Sequence, residues 1–503
     1  GQYNNAFGND ALRVNTASSN SAFGHAALVA NTTGTRNVAV GYQALDANTT
    51  ANETTAIGWN ALGAQTGAGG INVAVGDSSM LATTTGSENV GIGCAALTSN
   101  TTGSSNVAVG RSALTSNTTG TINTAVGRDA LKSNTTASGN TAMGREALKN
   151  NTTGTANTSV GTSSLLANTT AANNTALGQA ALKSNTTGAT NTAIGKDALQ
   201  ANTTASFNTA VGTSALLTTT TGNSNTAVGT NAMRLNTTGI ENTAFGLNAL
   251  YSNTSASYNT ALGYVALQNN TTGTQNVAVG RNSLANNTTG LYNTGIGYST
   301  LSEVTTGQQN TGLGRLAGSG LTTGDNNTFI GYYARPSSAG QDNANVLGHS
   351  VVGVAGYTTI GIGTSDIRAL HGNATWAAVS DRRYKKDIKD STAGLKFVND
   401  LKPRTFKYKN KGDLPTTFRA YKKDSDTVYK DSKTQHGFIA QEVKDAIDAN
   451  PEIKDGFKMW DSRDDGSQEV AESAVIPVLV KAIQELSAKV EELQTEIKTL
   501  KGN

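Results

Sequence analysis

A glycine returns every 17 residues through most of this chain. It closes short segments of the form Asn-Thr-Ala-Val-Gly at Gly8, Gly24, Gly41, Gly58, Gly76 and Gly93, then recurs at an unbroken 17-residue interval to Gly331. A fixed period of this length predicts a solenoid, because one repeat cannot bury its apolar face alone and stacked neighbours can. A clear copy is Asn225-Thr226-Ala227-Val228-Gly229-Thr230-Asn231-Ala232-Met233-Arg234-Leu235-Asn236-Thr237-Thr238-Gly239-Ile240-Glu241. Thr226-Ala227-Val228 alternates in the manner of a strand, with small residues on one face that admit another backbone. Gly229 then bends the chain without a Cβ penalty. The next stretch reads two ways. Arg128-Asp129-Ala130-Leu131-Lys132 and Arg145-Glu146-Ala147-Leu148-Lys149 are good helix formers, so a single helical turn competes with a second short strand. The Asn-Thr-Thr-Gly run supplies the corner. About twenty such turns at strand spacing would make a rod on the order of 95 Å long.

Composition fits a thin stack rather than one large core: 56 glycines, 5% aromatic and 15% charged residues. The charge is unevenly placed. Of 73 charged residues (38 basic and 35 acidic), 46 fall in the last 124 positions. All five prolines, Pro336, Pro403, Pro415, Pro451 and Pro477, lie beyond the array, as expected where each would remove a ladder donor. Four regions follow: a repeat shaft over 1–335, a neck or cap over 336–379, an α+β region over 380–472 and a terminal helix over 473–503. The expected fold class is mainly β.

A net charge of +3 gives no case for nucleic acid or a membrane surface, and no run of 18 apolar residues predicts membrane insertion. The single Cys94 rules out an intrachain disulfide and reads as an inert thiol after a repeat glycine. No Cys/His spacing suggests a metal, and no cofactor is expected. The chain starts in mid-repeat without an initiator methionine and reads as a fragment, with any N-terminal anchor or signal out of view.

Three functional readings of the array are weak. The Asn-Thr-Thr triplets match an N-glycosylation acceptor, but periodicity explains them as corner residues. Ice binding would need threonines on one flat face, and adjacent ones cannot share it. Calcium-binding coils would need recurring aspartates. The neck gathers Tyr332, Tyr333, His349, Tyr357, His371 and Trp376. Of these, Tyr332, Tyr333 and Trp376 are candidates to face a receptor by sugar stacking, although sealing the last turn of the solenoid is the favoured reading. The 17-residue beat is expected to stop after Gly331. No paired carboxylates there suggest a glycosidase.

In the C-terminal region, Phe397 to Leu401 reads as helix, Pro403 to Tyr408 as strand and Gly437 to Ile447 as strand into helix. Ser380 stands five residues ahead of Lys385, which suits a Ser-Lys dyad with the lysine amine as base. From about Ser473 a helix carries Leu479, Ile483, Leu486, Val490, Leu493, Ile497 and Leu500 at alternating steps of four and three, a heptad seam that wants partner helices. Soluble coiled-coil rules lean toward two strands. Pro477 fits only in the first turn.

Ser380-Asp381-Arg382-Arg383-Tyr384-Lys385-Lys386-Asp387-Ile388, followed by His436-Gly437-Phe438-Ile439-Ala440-Gln441-Glu442-Val443, resembles the self-cleaving intramolecular chaperone at the C-terminus of phage tail fibres and endosialidase tailspikes. The resemblance runs from about Ser380 to Leu500. The array resembles the head repeats of trimeric autotransporter adhesins and similar phage-fibre repeats, although those adhesin heads use a shorter repeat. The resemblance implies a homotrimeric β-roll or β-helix shaft, and three strands rather than two at the seam. It implies a domain that aligns three chains and cleaves itself off at Val379–Ser380, with Ser380 as nucleophile and Lys385 as general base. Tyr384 stands where the family more often has leucine. Asp381 would orient the dyad or cap a nearby amide, and His436 reads as structural. The implied function is a phage tail fibre on the virion tail, whose partners are its own copies and a host cell-surface glycan or protein receptor. Its enzyme activity would be a single self-cleavage. A bacterial trimeric surface adhesin is the alternative, and a polysaccharide-degrading tailspike a weaker one.

Overall fold

The computed structural model describes residues 1–67, 69–372, 377–378, 380–454, 457–463 and 465–502. By internal contacts the chain divides into two units, Gly1–Val379 and Ser380–Asn503.

The first unit is a β-solenoid. Its strands β1 (Asn5–Phe7) to β20 (Thr328–Ile330) are each three residues long and pair in parallel, in register, with the next coil. In one such pair Val107, Ala108 and Val109 face Thr124, Ala125 and Val126. The coil from Asn106 to Ile122 shows why the repeat folds this way. Its amides bond alternately to the coil before and the coil after. Gly110 N–H donates to the Ile92 carbonyl (2.7 Å) and Ser112 to Cys94 (3.0 Å), whereas Val107 donates to Asn123 (2.8 Å) and Leu114 to Ala130 (3.0 Å). Gly110 sits at φ +131, and a Cβ there would lie 2.7 Å from the Gly127 carbonyl carbon. Both the dihedral and the neighbouring backbone therefore demand glycine, and together they set the period.

The stretch after the glycine is neither of the two elements expected from sequence. In Arg145–Lys149 the φ angles of Glu146 (61°) and Leu148 (50°) are left-handed, incompatible with helix or strand. Propensity yields because this path gives the amides of the two left-handed residues inter-coil partners: Glu146 N–H reaches the Arg128 carbonyl (2.9 Å) and Leu148 N–H that of Ser164 (3.0 Å).

The core of each coil is narrow. Ala108, Ala113 and Leu114 are fully buried, and so are Asn106 and Asn117. Two buried asparagine ladders result. Asn106 Nδ2 crosses the coil to the Gly120 carbonyl (2.9 Å) while its Oδ1 accepts the Asn123 amide (3.0 Å). Asn117 Nδ2 bonds Asn100 Oδ1 (2.9 Å) and the Gly120 carbonyl (3.0 Å). The asparagine of the Asn-Thr-Thr triplet is therefore an interior residue, not simply a corner one, and a glycan has no access to it. The first threonine keeps the coils tied, with Thr118 Oγ1 donating to the Thr135 carbonyl (3.1 Å), and Thr119 is exposed.

The beat does not stop at Gly331. After β21 (Arg335–Pro336), strand β22 (Asn345–His349) pairs in register with β20, and Gly331 lies against Gly348. Pro336 is accommodated in β21, which among the described residues pairs only with β23 (Val352–Gly353). Strand β24 (Tyr357–Ile362) continues the parallel sheet, and β25 (Ser365–Leu370) and β26 (Ala377–Ala378) finish it antiparallel. Phe329 and Val346 fill the interior where earlier coils place alanine.

The second unit is a small α+β fold. Helix α1 (Leu395–Asp400), strands β27 (Arg404–Phe406) and β28 (Gln435–Gly437), helix α2 (Ala440–Asp448), hairpin β29 (Trp460–Ser462) with β30 (Gln468–Val470), and helix α3 (Ile476–Lys501) follow in order. Phe397, Val443, Ile447, Met459, Val475 and Val478 share its core. The Phe397 ring meets Phe457 edge-on at 5.6 Å. Glu485 of α3 accepts the Leu395 amide (2.8 Å), pinning the start of α1 to α3. Pro477 falls in the first turn of α3, where its missing N–H costs nothing.

Candidate self-cleavage and assembly site

Ser380 begins the second unit and is exposed. Immediately after it, Asp381 caps a 3-10 turn over Arg382–Tyr384 by accepting the Arg383 amide (2.8 Å). The Lys385 amide closes the turn on the Arg382 carbonyl (3.0 Å). This tight turn folds a five-residue separation back on itself, and Lys385 Nζ donates to Ser380 Oγ at 2.7 Å. A hydroxyl and an amine are thus brought within proton-transfer reach by a local turn.

Asp381 is committed to the turn rather than to the dyad. The Arg383 guanidinium, with its amide second, holds the Asp381 carboxyl below the usual carboxylate range. The same ion pair (2.7 Å) raises Arg383. His436 sits in β28 opposite Thr405, and among the described residues no hydrogen bond joins it to Ser380 or Lys385. The neighbouring β27 is tied to α2 by Arg404, which grips Glu442 with two bonds of 2.9 and 2.7 Å. That hydrogen-bonded guanidinium lowers the Glu442 carboxyl. Val379, the residue on the other side of the expected scissile bond, lies outside the described residues, as does Trp376.

Helix α3 has two apolar stripes. Val478, which belongs to the core of the unit, and Ala482 are buried. Leu479, Ile483, Leu486, Val490, Leu493, Ile497 and Leu500 form the second stripe, all exposed, with Leu486 at 52% and Leu493 at 56%. The shaft has a comparable feature. In most strands the third residue points outward, as with Met143, Leu177, Phe245 and Leu262, while the central residue, usually alanine, points in.

Of the neck tyrosines, Tyr332 is exposed (39%) and stacks on His349 at 4.9 Å. Tyr333 is half-buried beneath Arg335, whose Nη1 donates to its hydroxyl (2.9 Å).

Fold and site together define a β-solenoid shaft followed by a small α+β domain. The family described as the chaperone of endosialidase matches residues 380–451, starting on Ser380 itself, so the chain carries that chaperone domain at its C-terminal end. No curated protein and no solved structure matches the chain.

Proposed function

We propose that this chain is a homotrimeric virion tail fibre that attaches to a host surface and removes its own chaperone by cleaving Val379–Ser380. The observation that carries the reading is the 2.7 Å contact between Lys385 Nζ and Ser380 Oγ at the first residue of the chaperone domain. In the proposed reaction the neutral Lys385 amine takes the Ser380 hydroxyl proton while Oγ forms a bond to the Val379 carbonyl carbon. The C–N bond breaks, and the proton passes to the departing Ser380 α-amine. Water then hydrolyses the ester, leaving a carboxylate on Val379 and restoring the Ser380 hydroxyl.

Self-association is supported by what the shaft leaves uncovered. Most coils turn the smaller strand residue inward and the larger one outward, so residues such as Phe245 (53% exposed) and Leu262 repeat down one face. Fully burying one such side chain contributes about 1.5–3 kcal/mol. A partner that covers the whole column must share its rung spacing, and another copy does. The exposed seam of α3 supplies a second surface of the same kind.

The test is a denaturing gel with mass determination. Wild type yields fragments ending at Val379 and beginning at Ser380, while Ser380→Ala and Lys385→Ala stay intact. A wild type that forms no such fragment under any assembly condition removes the cleavage reading.

A further inference from the structure

The residue that follows each repeat glycine forms a column down the outside of the shaft. Over the last six coils this column alternates: Tyr264, Arg281, Tyr298, Arg315, Tyr332, His349. Each arginine is held between two tyrosine rings. The Arg281 guanidinium carbon lies 5.5 Å from the Tyr264 centroid and 5.8 Å from that of Tyr298. For Arg315 the distances are 5.6 Å to Tyr298 and 5.4 Å to Tyr332. The stack ends with Tyr332 on His349. Both arginines are exposed.

The stack occupies the ring and guanidinium faces and leaves the guanidinium N–H edges to solvent. Those donors are unspent. Among the described residues, no carboxylate lies within 4.0 Å of Arg281 or Arg315, and neither donates a side-chain hydrogen bond. The same column provides a contrast farther up, where Arg128 is neutralised by Asp129 (3.1 Å) and Arg145 by Glu146 (3.7 Å). An unpaired arginine fixed by flanking rings is pre-organised for an anion and loses little freedom on binding one.

We infer that this column is a binding site for an extended acidic polysaccharide, whose carboxylates sit on Arg281 and Arg315. The inference rests on the attachment reading above and names the chemistry of the surface. Spacing decides between polyanions. The two arginines stand two rungs apart, about 9.5 Å at sheet spacing. A nucleic-acid strand carries a charge about every 3.4 Å, far too dense for this row. A glycan with one acidic group for every two sugars presents its charges sparsely enough to engage both arginines, with the Tyr298 hydroxyl edge between them available to sugar hydroxyls.

The experiment uses the full chain and hyaluronate, a linear polymer with one carboxylate per two sugars, beside the same polymer with its carboxyls reduced. Hyaluronate binds and is released by salt, and the reduced polymer does not bind. Arg281→Gln with Arg315→Gln weakens binding by about tenfold or more, as expected for lost charge-assisted bonds. Arg128→Gln with Arg145→Gln leaves binding unchanged. No binding of hyaluronate, equal binding of the reduced polymer or of oligothymidylate, or undiminished binding by the Arg281/Arg315 variant overturns the inference. None of those results touches the cleavage fragments of the wild type, so the two readings fail separately.

Discussion

Asn123 is the place to ask whether buried asparagines hold the shaft together. Its side chain is fully buried. Nδ2 donates to the Ala137 carbonyl (2.8 Å) and Asn106 Oδ1 (3.2 Å), and Oδ1 accepts the Asn140 amide (3.0 Å). In Asn123→Ala the Ala137 carbonyl keeps the Asn134 Nδ2 donor (3.0 Å) and Asn106 Oδ1 keeps the residue-123 backbone N–H (3.0 Å). The Asn140 N–H keeps nothing. The orphaned buried donor costs about 1–3 kcal/mol, and the two other lost bonds, whose acceptors each keep a second donor, cost about 0.5 kcal/mol apiece, so a local loss of about 2–4 kcal/mol is expected. In a stack where each coil contacts only its neighbours the damage stays local. Hydrogen exchange, read peptide by peptide by mass spectrometry, is therefore the assay. Peptides over 123–145 should exchange about thirty- to several-hundred-fold faster, and coils near Gly297 should not change. Asn123→Asp should be worse at neutral pH, because a carboxylate would face the Ala137 carbonyl, and should recover on acidification. Unchanged protection at Asn140, or an equal loss along the whole shaft, would refute the ladder argument.

Ile122 is β-branched and exposed, yet it holds φ +58, so Ile122→Asn should stabilise its coil by about 1 kcal/mol, seen as slower local exchange; no change would contradict the strain. Asp465 accepts the Arg419 amide first and the Ser467 hydroxyl and amide next, which holds it at about 2. A depressed carboxyl contributes stability above its unfolded value near 3.9 and loses it as pH falls toward 2, so an acid titration of the second unit should steepen in that window and flatten in Asp465→Asn. Leu486→Asp with Leu493→Asp should reduce sedimentation from trimer to monomer while Val478 and Ala482 keep α3 docked; an unchanged mass would exclude the seam.

The period was legible because Gly110 and its equivalents answer two demands at once, and no other residue meets both. The path between glycines was not. Helix propensity in Arg145–Lys149 is a local property, whereas the left-handed turns are imposed by bonds to coils 17 residues away. The asparagine ladders left a signal, since both asparagines keep their phase in nearly every repeat. Reading them as turn formers hid it, because local turn chemistry and cross-coil bonding favour the same residue. At Gly348 the loss of the Asn-Thr-Thr run and the entry of Pro336 masked a beat that the backbone still keeps. Spacing together with the family resemblance proposed Ser380 with Lys385; the capped turn that closes five residues into a 2.7 Å contact needed the Asp381 geometry. The tyrosine–arginine column is invisible along any one repeat and emerges only down the stack.

A near-uniform shaft raises a problem that the proposed assembly domain answers. Within one chain each coil follows the last covalently, so the stack cannot slip. Between copies nothing comparable exists. Sliding one shaft by a single rung sets Val126 where Val109 was and Ala125 where Ala108 was, forfeiting only the terminal coil's contacts. Alignments one rung apart are then nearly degenerate, and the outward apolar column is as sticky in the wrong one as in the right one. Non-repetitive surfaces lift that degeneracy, and the charge-rich second unit with its single α3 seam is where this chain keeps them. In the proposed homotrimer, escape after lateral packing would require breaking the whole column together, so alignment would persist kinetically and the clamp would become dispensable. The proposed self-cleavage would then belong at the junction between the repetitive unit and the non-repetitive one, and Ser380 is the first residue of the latter.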